Sequence, residues 1–335
     1  MQSLLPLQDC QILTRYCHAD LPYWKSFFHH HIRLGVSRFV VCIQTEDEIS
    51  EFKHSYCQTS DVSIVVLKTP SNLLPSVALR SIDLAIILHG PAYTLMIDSD
   101  EFFCLGVSPV NEFRQLIQTR HFINLPWMMN CLLSNDTMKG FWGHASKPLA
   151  LTKAIKCIRG DHVFGYRTRS TLLSLSGLIS RQLSTKPSGN YSLSHVYRLS
   201  VDAYLIHYWG RSFNDVLIRG LFSRFRSAKQ SDQDQLVSKM IAGIIPNRFK
   251  IYAYLLLHPA SSLLPFSFPS NGIDLAHEVL VLADLGVTSS MRDVLASTFY
   301  HYLESLTSDT FGFPLYPSGS IPSLQQVISN MPDKV

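Results

Sequence analysis

The first half of the chain alternates short apolar runs with longer segments whose apolar positions recur at helical spacing. This alternation is typical of a parallel sheet whose strands are joined by helices. We therefore predict an α/β fold with a mainly parallel central sheet flanked by helices. The runs predicted as strands are Cys10 to Thr14, Arg38 to Ile43, Val62 to Lys68, Tyr93 to Ile97 and His121 to Leu125.

Three connecting segments of this half are predicted as helices. The first has apolar residues at helical spacing from Trp24 to Leu34 and ends at Gly35, the residue type that most often terminates a helix. The second begins with three acidic residues at positions 46 to 48, which complement the positive end of the helix dipole. The third is predicted at about Pro75 to His89.

The pattern changes twice in the second half of the chain. From about residue 134 to residue 200 it is irregular, and segments rich in Ser and Thr are predicted as long loops. After about residue 217 apolar residues again recur at helical spacing, until prolines interrupt the pattern. We expect one α/β domain at residues 1–216 and a helical C-terminal region at residues 217–335, with a Pro-rich tail.

Composition limits the classes of function. A hydrophobic content of 46% is ample for a large core, and a net charge of +4 is too small to indicate a nucleic-acid-binding protein. Seven cysteines without a C-x-x-C pair favour reduced thiols, and no apolar run is long enough for a membrane span, so we expect a cytoplasmic protein. A basic run at residues 219–229 allows peripheral membrane contact, although a solvated helix face is the favoured interpretation.

The stretch Y-T-L-M-I-D-S-D-E-F-F places Asp98, Asp100 and Glu101 directly after a predicted strand. In open α/β sheets, ligands bind just outside the carboxyl ends of the strands. Backbone alternation lets Asp98 and Asp100 point the same way, and Mg²⁺ and Mn²⁺ prefer carboxylate oxygens, often together with substrate phosphates. A metal site is favoured over the alternative, in which the acids only cap a following helix.

Three sequence blocks occur in the order W-K-S-F-F-H-H-H-I-R-L-G-V-S-R-F-V-V, Y-T-L-M-I-D-S-D-E-F-F and L-I-H-Y-W-G-R-S-F-N-D. Together they resemble the family-2-like and family-92-like glycosyltransferases, over roughly residues 11–220. The resemblance implies a nucleotide-sugar-binding domain of the GT-A type. It also implies an Mn²⁺ or Mg²⁺ ion that bridges the diphosphate of the donor, and by default a uridine diphosphate sugar.

The resemblance also implies roles for individual residues. Asp98 and Asp100 match its metal-binding acids, and Glu101 is their companion in the motif. His207 and Arg211 match the block that closes the site, with arginine in place of the usual lysine. His207 is expected as a further metal ligand, with a satisfied histidine at a strand end as the alternative, and the guanidinium of Arg211 can bind a diphosphate. The ends of the first two strands, which hold the base and ribose of the donor in the family, depart from its pattern here. The expected donor-binding set is Thr14, Arg15, Glu46, Asp47, Asp98 and Arg211.

An inverting transfer needs a general base that takes the proton of the acceptor hydroxyl. Asp136, Asp161 and His162 are the candidates, and a turn or helix-cap role is the favoured alternative for each. The triple His29-His30-His31 does not form one metal site, because consecutive helix positions face different directions. We predict that His31 packs in the core and that the other two lie on the surface.

Two other classes of protein remain as alternatives. A phosphohydrolase of the haloacid dehalogenase type also has D-x-D after an apolar strand, but there the motif normally begins the domain. A catalytically inactive descendant of the transferase fold, acting as a binding module, is consistent with the altered first-strand residues. The favoured hypothesis is a metal-dependent, inverting glycosyltransferase that acts on a glycan, a lipid-linked saccharide or a protein.

Overall fold

A computed structural model describes most of the first half of the 335-residue chain and separate parts of the second. The described residues fall into two compact units, one drawn from residues 1–20, 27–128 and 142–207 and the other from residues 21–26, 129–141 and 208–335. The predicted boundary after residue 216, between an α/β domain and a helical C-terminal region, stays a prediction. The described residues are 4–56, 62–70, 75–105, 109–119, 122–134, 137–160, 163–166, 203–222, 238, 262–264 and 275–305.

Strands and helices alternate in the first part of the chain, as the pattern predicts. The strands are β1 Cys10–Arg15, β2 Arg38–Ile43, β3 Ser63–Lys68, β4 Tyr93–Met96, β5 Glu101–Leu105, β6 Phe122–Ser134, β7 Thr137–Leu151, β8 Ile155–Gly160, β9 Val163–Tyr166, β10 Ala203–Gly210 and β11 Ser262–Leu264. The helices are α1 Leu21–Arg33, α2 Glu46–Tyr56, α3 Pro75–Ala78, α4 Leu84–Leu88, α5 Val110–Thr119, α6 Phe213–Phe222, α7 Leu275–Asp284 and α8 Ser289–Ser305. Short 3₁₀ turns occupy His18–Asp20, Leu79–Ser81 and Thr152–Ala154.

The main sheet has the strand order β3-β2-β1-β4-β7-β6-β10-β5. Its first four strands are parallel, whereas β7 joins β4 antiparallel and β10 pairs antiparallel with β5. The predicted α/β class with a mainly parallel central sheet and a helical C-terminal region is confirmed.

The strand order reverses between β1 and β4. From β1 the chain proceeds to β2 and β3 on one side of β1, and β4 lies on the other side. In open α/β sheets the crevice at such a reversal is where ligands bind.

Apolar side chains cover both faces of the parallel strands. Phe39 and Val40 are neighbours on β2 and point to opposite faces, as strand geometry requires. On one face Phe28 of α1 packs on Phe39 with ring centres 4.6 Å apart. Burying each such aromatic side chain contributes roughly 1.5–3 kcal/mol. The core on the other face contains Leu13, Val40, Cys42, Leu79, Ile87, Met96, Ala150, Ile155, Ile158 and Phe164.

Helix α1 ends as the sequence predicts. Gly35 has a φ of +101°, and its N–H donates to the carbonyl of Ile32 at 2.9 Å. The N–H of Val36 donates to the carbonyl of His31 at 3.1 Å, which completes a Schellman motif. An added Cβ at Gly35 would lie 2.9 Å from the backbone nitrogen of Gln8, so both the conformation and the packing require glycine.

Two histidines of α1 contact the backbone of β5 at the edge that does not pair with β10. Nε2 of His30 lies 2.8 Å from the carbonyl oxygen of Phe103, and the N–H of Phe103 donates to Nε2 of His31 at 3.3 Å. His31 is fully buried and donates through Nδ1 to the carbonyl of Phe27 at 2.8 Å, so it packs in the core as predicted. His30 was predicted on the surface but is only partly exposed, because it bonds a strand that the sequence pattern did not indicate.

Three local predictions were wrong. The helix predicted at Pro75 to His89 is broken, because Ile82 is extended and Asp83 begins α4 by accepting a hydrogen bond from the N–H of Ala85. Strands β7 and β9 lie where long loops were predicted. The sequence after Asp100 was read as a turn, but β5 begins there at Glu101.

Four cysteines, Cys10, Cys17, Cys42 and Cys104, are buried, and Cys157 is partly exposed. The burial of these four agrees with the predicted core position of the cysteines. Burial raises the pKa of the thiols of Cys10, Cys42 and Cys104 to about 12, so these three are unreactive at neutral pH. Among the helices in the described ranges, none combines the length and the apolar character needed to cross a bilayer.

Candidate active site at the ends of β1 and β4

A tight turn joins β4 to β5 and carries the three acidic residues. The N–H of Glu101 donates to the carbonyl of Asp98 at 3.0 Å, and the N–H of Asp98 donates to Oε2 of Glu101 at 2.8 Å. These two bonds turn the carboxylate of Glu101 back toward the start of the turn. Asp100 and Glu101 are buried, whereas the side chain of Asp98 is 27% exposed. Buried carboxylates at this place require cations or polar partners.

Asp98 is held by two cationic side chains. Nη2 and Nε of Arg15, at the end of β1, donate to Oδ1 at 2.6 and 3.1 Å. Nζ of Lys147, on β7, donates to Oδ2 at 2.7 Å. Desolvation alone raises the pKa of the Asp98 carboxyl, but Arg15 and Lys147 outweigh it and hold the pKa below its usual range. Asp98 is therefore a carboxylate at neutral pH.

Lys147 belongs to this site, although no sequence pattern marks it. Its side chain is 1% exposed, and Nζ lies 3.5 Å from Oε1 of Glu101 as well as close to Asp98. Nζ also lies 5.8 Å from the ring centre of Trp127. Burial lowers the pKa of the ammonium, but Asp98 and Glu101 raise it above its ordinary value, so Lys147 stays charged.

A second group lies beside the first and consists of Asp100, Glu101 and His207. One ligand atom from each lies within 4.8 Å of the others, and all three residues are buried. Nε2 of His207 is 3.4 Å from Oδ2 of Asp100, and Nδ1 is 4.0 Å from Oε1 of Glu101. The strand register explains this proximity, since His207 on β10 lies directly opposite Glu101 on β5.

The donor set of this second group fits a divalent cation. Carboxylate oxygens suit Mg²⁺ and Mn²⁺, and an imidazole nitrogen is a common further ligand of transition metals. Oε1 of Glu101 is completely buried and accepts no hydrogen bond from any described residue, although Lys147 lies near it. Burial raises the pKa of Glu101 well above its usual range, Lys147 partly offsets this, and Asp98 and Asp100 add to it. A cation at this place would stabilise the ionised carboxylate.

The loop after β1 is tied to the same turn by hydrogen bonds to the side chain of Asp20. Oγ of Ser99 donates to Oδ1 of Asp20 at 2.5 Å. The other oxygen of Asp20 accepts from the N–H of Cys17 at 3.0 Å. Together with the bond between Arg15 and Asp98, this network fixes the ends of β1 and β4 to each other. The site is therefore held in position by its own loops.

The other donor-binding residues expected at the first two strand ends differ in their exposure and contacts. The side chain of Thr14 is buried, and its hydroxyl contacts the carbonyl of Arg15 at 3.5 Å. Glu46 is 68% exposed and pairs with Lys68, and Asp47 is exposed in the first turn of α2. Thr14 therefore lies inside the sheet and Glu46 on the surface, whereas Arg15 contacts Asp98 directly.

Two later acidic residues of α2 contact the loop after β1 instead. Oε1 of Glu48 accepts from the N–H of His18 at 3.1 Å. Oε2 of Glu51 lies 2.6 Å from Nδ1 of His18, and its other oxygen accepts from the hydroxyl of Tyr16. The side chains of His18 and Glu51 are about one quarter exposed, at 25% and 26%. Sequence reasoning missed the contact between His18 and Glu51, although the helical spacing from Glu48 to Glu51 places both glutamates on one face of α2.

Arg211, the expected diphosphate ligand, lies in the second unit within a buried polar cluster. Its guanidinium stacks on Tyr23, with Cζ 3.5 Å from the ring centre, and Nε lies 3.3 Å from Oδ2 of Asp215. Nη1 and Nη2 donate no hydrogen bond to any described residue. Arg219, which was predicted to be part of a basic surface run, donates to Oδ1 of Asp215 at 2.7 Å. The remainder of that run lies outside the described residues.

The same cluster contains a carboxyl with an unusual pKa. Glu278 on α7 accepts from the hydroxyls of Tyr23 at 2.6 Å and Ser212 at 2.8 Å. Burial raises the pKa of Glu278 to about 7, and Asp215 adds to this while the two hydrogen bonds and Arg211 oppose it.

The candidate bases Asp136, Asp161 and His162 lie outside the residues that the structure describes.

The comparisons with known proteins identify no family. No protein-family model matches the chain, and no curated protein matches it either. Among solved structures, the inositol-1-phosphate CTP transferase from T. maritima is 11% identical, with 63% of this chain and 88% of that chain covered and a TM-score of 0.24. The 4-diphosphocytidyl-2C-methyl-D-erythritolsynthase from Anaerococcus prevotii is 9% identical, with 69% and 96% covered and a TM-score of 0.23. Because both TM-scores are low, these two structures do not indicate the function of this chain.

Proposed function

We propose that this chain is a metal-dependent glycosyltransferase that takes a sugar from a nucleoside diphosphate donor. The observation that carries the proposal is the meeting of Arg15 and Asp98 where the strand order reverses, directly beside Asp100, Glu101 and His207. Ligands of open α/β sheets bind at such a reversal. Cationic side chains beside a group of metal-binding type suit a ligand that brings phosphates and a divalent ion together.

The proposal assigns the ion to the acidic turn. The resemblance to glycosyltransferases implies Asp98, Asp100 and His207 as its ligands, and Glu101 lies within the same group. When bound, Mn²⁺ or Mg²⁺ supplies Lewis-acid stabilisation of the charge that develops on the departing nucleoside diphosphate.

The remaining residues would bind the donor and activate the acceptor. The side chain of Arg15 is 21% exposed and can reach a phosphate while it keeps its bond to Asp98. Glu48 and Glu51 lie next to the loop after β1, in the region where the resemblance places base and ribose, and carboxylates can accept hydrogen bonds from ribose hydroxyls. Asp136, Asp161 and His162 remain the candidates for the general base of an inverting transfer.

The proposed donor is a uridine diphosphate sugar, and the acceptor is a glycan, a lipid-linked saccharide or a protein. The chain would act in the cytoplasm, with residues 1–216 as the transferase domain. The helical region at 217–335 remains available for acceptor recognition. None of these finer assignments is needed for the first test, which concerns the donor alone.

The test is the release of nucleoside diphosphate from a panel of nucleotide sugars, because many transferases slowly hydrolyse their donor without an acceptor. The purified 335-residue chain is incubated with Mn²⁺ and uridine, guanosine, cytidine or adenosine diphosphate sugars. We expect release from one class, lost in Asp100→Asn and kept in Asp293→Asn, which removes an exposed carboxylate of α8. If no donor is hydrolysed or bound, the alternative of a non-catalytic binding module replaces the proposal.

A further inference from the structure

We propose that Glu101 supplies the second carboxylate ligand of the divalent ion and that Asp98 is not a ligand. In this arrangement Asp98 anchors Arg15 and Lys147, and these three side chains position the ligands without contacting the ion. The inference rests on the proposed function, since it concerns the same ion, but it departs from the D-x-D pairing that the glycosyltransferase resemblance implies.

The contacts of Asp98 are the first argument. Both of its oxygens already accept charge-assisted hydrogen bonds, Oδ1 from Arg15 at 2.6 Å and Oδ2 from Lys147 at 2.7 Å. Such bonds are about twice as strong as neutral ones. An ion bound to Asp98 would have to compete with two positive groups for the same oxygens. Repulsion between the ion and these groups opposes coordination at this carboxylate.

The position of Glu101 is the second argument. One oxygen, Oε2, is fixed by the N–H of Asp98 at 2.8 Å, whereas the other, Oε1, has a longer contact of 3.5 Å with Nζ of Lys147. Oε1 is buried, accepts no hydrogen bond from the described residues, and lies 4.0 Å from Nδ1 of His207. An ion between these atoms would give Oε1 the partner that burial requires.

The strand pairing is the third argument. Glu101 is the first residue of β5 and His207 is its partner in the antiparallel register with β10. The two ligands are therefore carried by hydrogen-bonded strands, which hold side chains more accurately than a loop does. Asp100 precedes Glu101 directly and completes the group from the end of the turn. Asp98 lies three residues before Glu101 and is connected to it through Lys147.

Lys147 has a positioning role in this arrangement. Its Nζ lies between Oδ2 of Asp98 at 2.7 Å and Oε1 of Glu101 at 3.5 Å. The ammonium balances the charge of Asp98 and favours the ionised form of Glu101, which is the form that binds a cation. Trp127 lies against both Lys147 and His207 and limits their movement. The charges of Lys147 and Asp98 cancel, so removing both leaves the net charge of the site unchanged.

This balance gives a matched pair of variants. The double variants D98N/K147M and E101Q/K147M differ only in which carboxylate becomes an amide. Asparagine and glutamine keep an oxygen that accepts the bonds from Arg15 and from the N–H of Asp98, and methionine fills the space of the buried lysine stem. Binding of Mn²⁺ alone is measured by electron paramagnetic resonance of the free ion. Circular dichroism and urea unfolding verify the fold of each variant.

We expect E101Q/K147M to bind Mn²⁺ at least about tenfold more weakly than D98N/K147M, because loss of a ligand weakens binding more than loss of a second-sphere partner. Equal affinities, or the reverse order, would overturn the assignment. If a double variant does not fold, the single variants D98N and E101Q are compared in the same way. The expected order and the contradicting order are the same for that pair.

Failure of this inference can be separated from failure of the proposed function. If the wild type hydrolyses a nucleotide sugar with Mn²⁺ but the order of the variants is reversed, only the ligand assignment is wrong. If the wild type binds no Mn²⁺ and hydrolyses the donor in the presence of a chelator, the ion site is overturned while sugar transfer survives. If the wild type neither binds Mn²⁺ nor hydrolyses any donor, the proposed function is itself overturned.

Discussion

Nζ of Lys147 lies 2.7 Å from Oδ2 of Asp98, although the two residues are separated by 49 positions in the chain. The contact is possible because β7 is the antiparallel neighbour of β4 in the sheet. It places a buried ammonium beside the acidic turn, where the sequence indicated only carboxylates. The charge of Asp98 is therefore balanced within the site before any ligand binds.

The first prediction concerns the stability of this buried pair. Replacing Lys147 by Met removes one partner and leaves Asp98 and Glu101 less compensated in a buried place. We expect the free energy of unfolding to fall by about 3–5 kcal/mol, as is usual when one member of a buried pair is removed. Urea unfolding followed by circular dichroism measures the change.

Lys68→Met is the matched control, because Lys68 pairs with Glu46 on the surface with both side chains more than half exposed. A solvent-exposed pair contributes little to stability, so this variant should unfold almost as the wild type does. If both methionine variants lose the same stability, Lys147 does not form a buried ion pair in solution.

The parallel half of the fold could be predicted from the sequence, and the antiparallel half could not. Strands β1 to β4 are bounded apolar runs with helical segments between them, which is a strong pattern. Strand β7 contains Gly140, Gly143 and Pro148, residue types that usually interrupt strands, and therefore gave no strand pattern. Strand β5 follows the acidic turn directly, so Phe102 and Phe103 were read as residues that anchor the turn.

The candidate site was predicted only in part, because the sequence pattern marks the residues after β4 but does not show which strand pairs with β4. Asp98, Asp100 and His207 were selected because an apolar strand or a known motif marks each of them. Lys147 was missed because lysine is rarely buried, and only the tertiary pairing of β7 with β4 brings it to Asp98. Recognising the pair would have required the strand register, which periodicity alone does not provide.

The second prediction concerns His31 and acid stability. Burial lowers the pKa of His31 well below 6.5, so the folded protein keeps this ring neutral while the unfolded chain binds a proton as the pH falls through 6.5. Stability therefore rises with pH in this range and is lost on acidification, by about 1.4 kcal/mol at about pH 5.5 for this one group. His31→Gln should be less stable near neutral pH but should lose less stability on acidification. Urea midpoints at about pH 7.5 and about pH 5.5 measure both effects.

His29→Gln provides the control, because His29 is the exposed neighbour of this histidine on the same helix. It should keep the acid sensitivity of the wild type. An unchanged pH dependence in His31→Gln would mean that His31 does not remain neutral in the folded state.

The third prediction concerns Glu278. Its pKa shift makes stability fall as the pH rises, which is opposite to the effect of His31. Its pKa is raised from 4.5 to about 7 in the folded protein, so the folded state binds more protons than the unfolded state between these values. The contribution of this group to stability falls as pH rises through that window and is constant above it. Glu278→Gln should therefore stabilise the protein above about pH 7 by up to about 3 kcal/mol. Thermal unfolding at about pH 8 measures the difference between variant and wild type.

Glu112→Gln is the control on the exposed first turn of α5, and it should change stability by less than about 0.5 kcal/mol. Destabilisation of Glu278→Gln at every pH would show that the ionised carboxylate stabilises the cluster with Tyr23 and Ser212. The raised pKa would then be wrong.

The central claim is that the junction of β1 and β4 binds a nucleoside diphosphate together with a divalent ion. Calorimetric titration with uridine diphosphate, with and without Mn²⁺, tests it on the wild type, Asp100→Asn and Asp293→Asn. We predict binding that requires Mn²⁺, is lost in Asp100→Asn and persists in Asp293→Asn. Binding that is unaffected by Mn²⁺ and by Asp100→Asn, or no binding of uridine, guanosine, cytidine or adenosine diphosphate to the wild type, would contradict the claim.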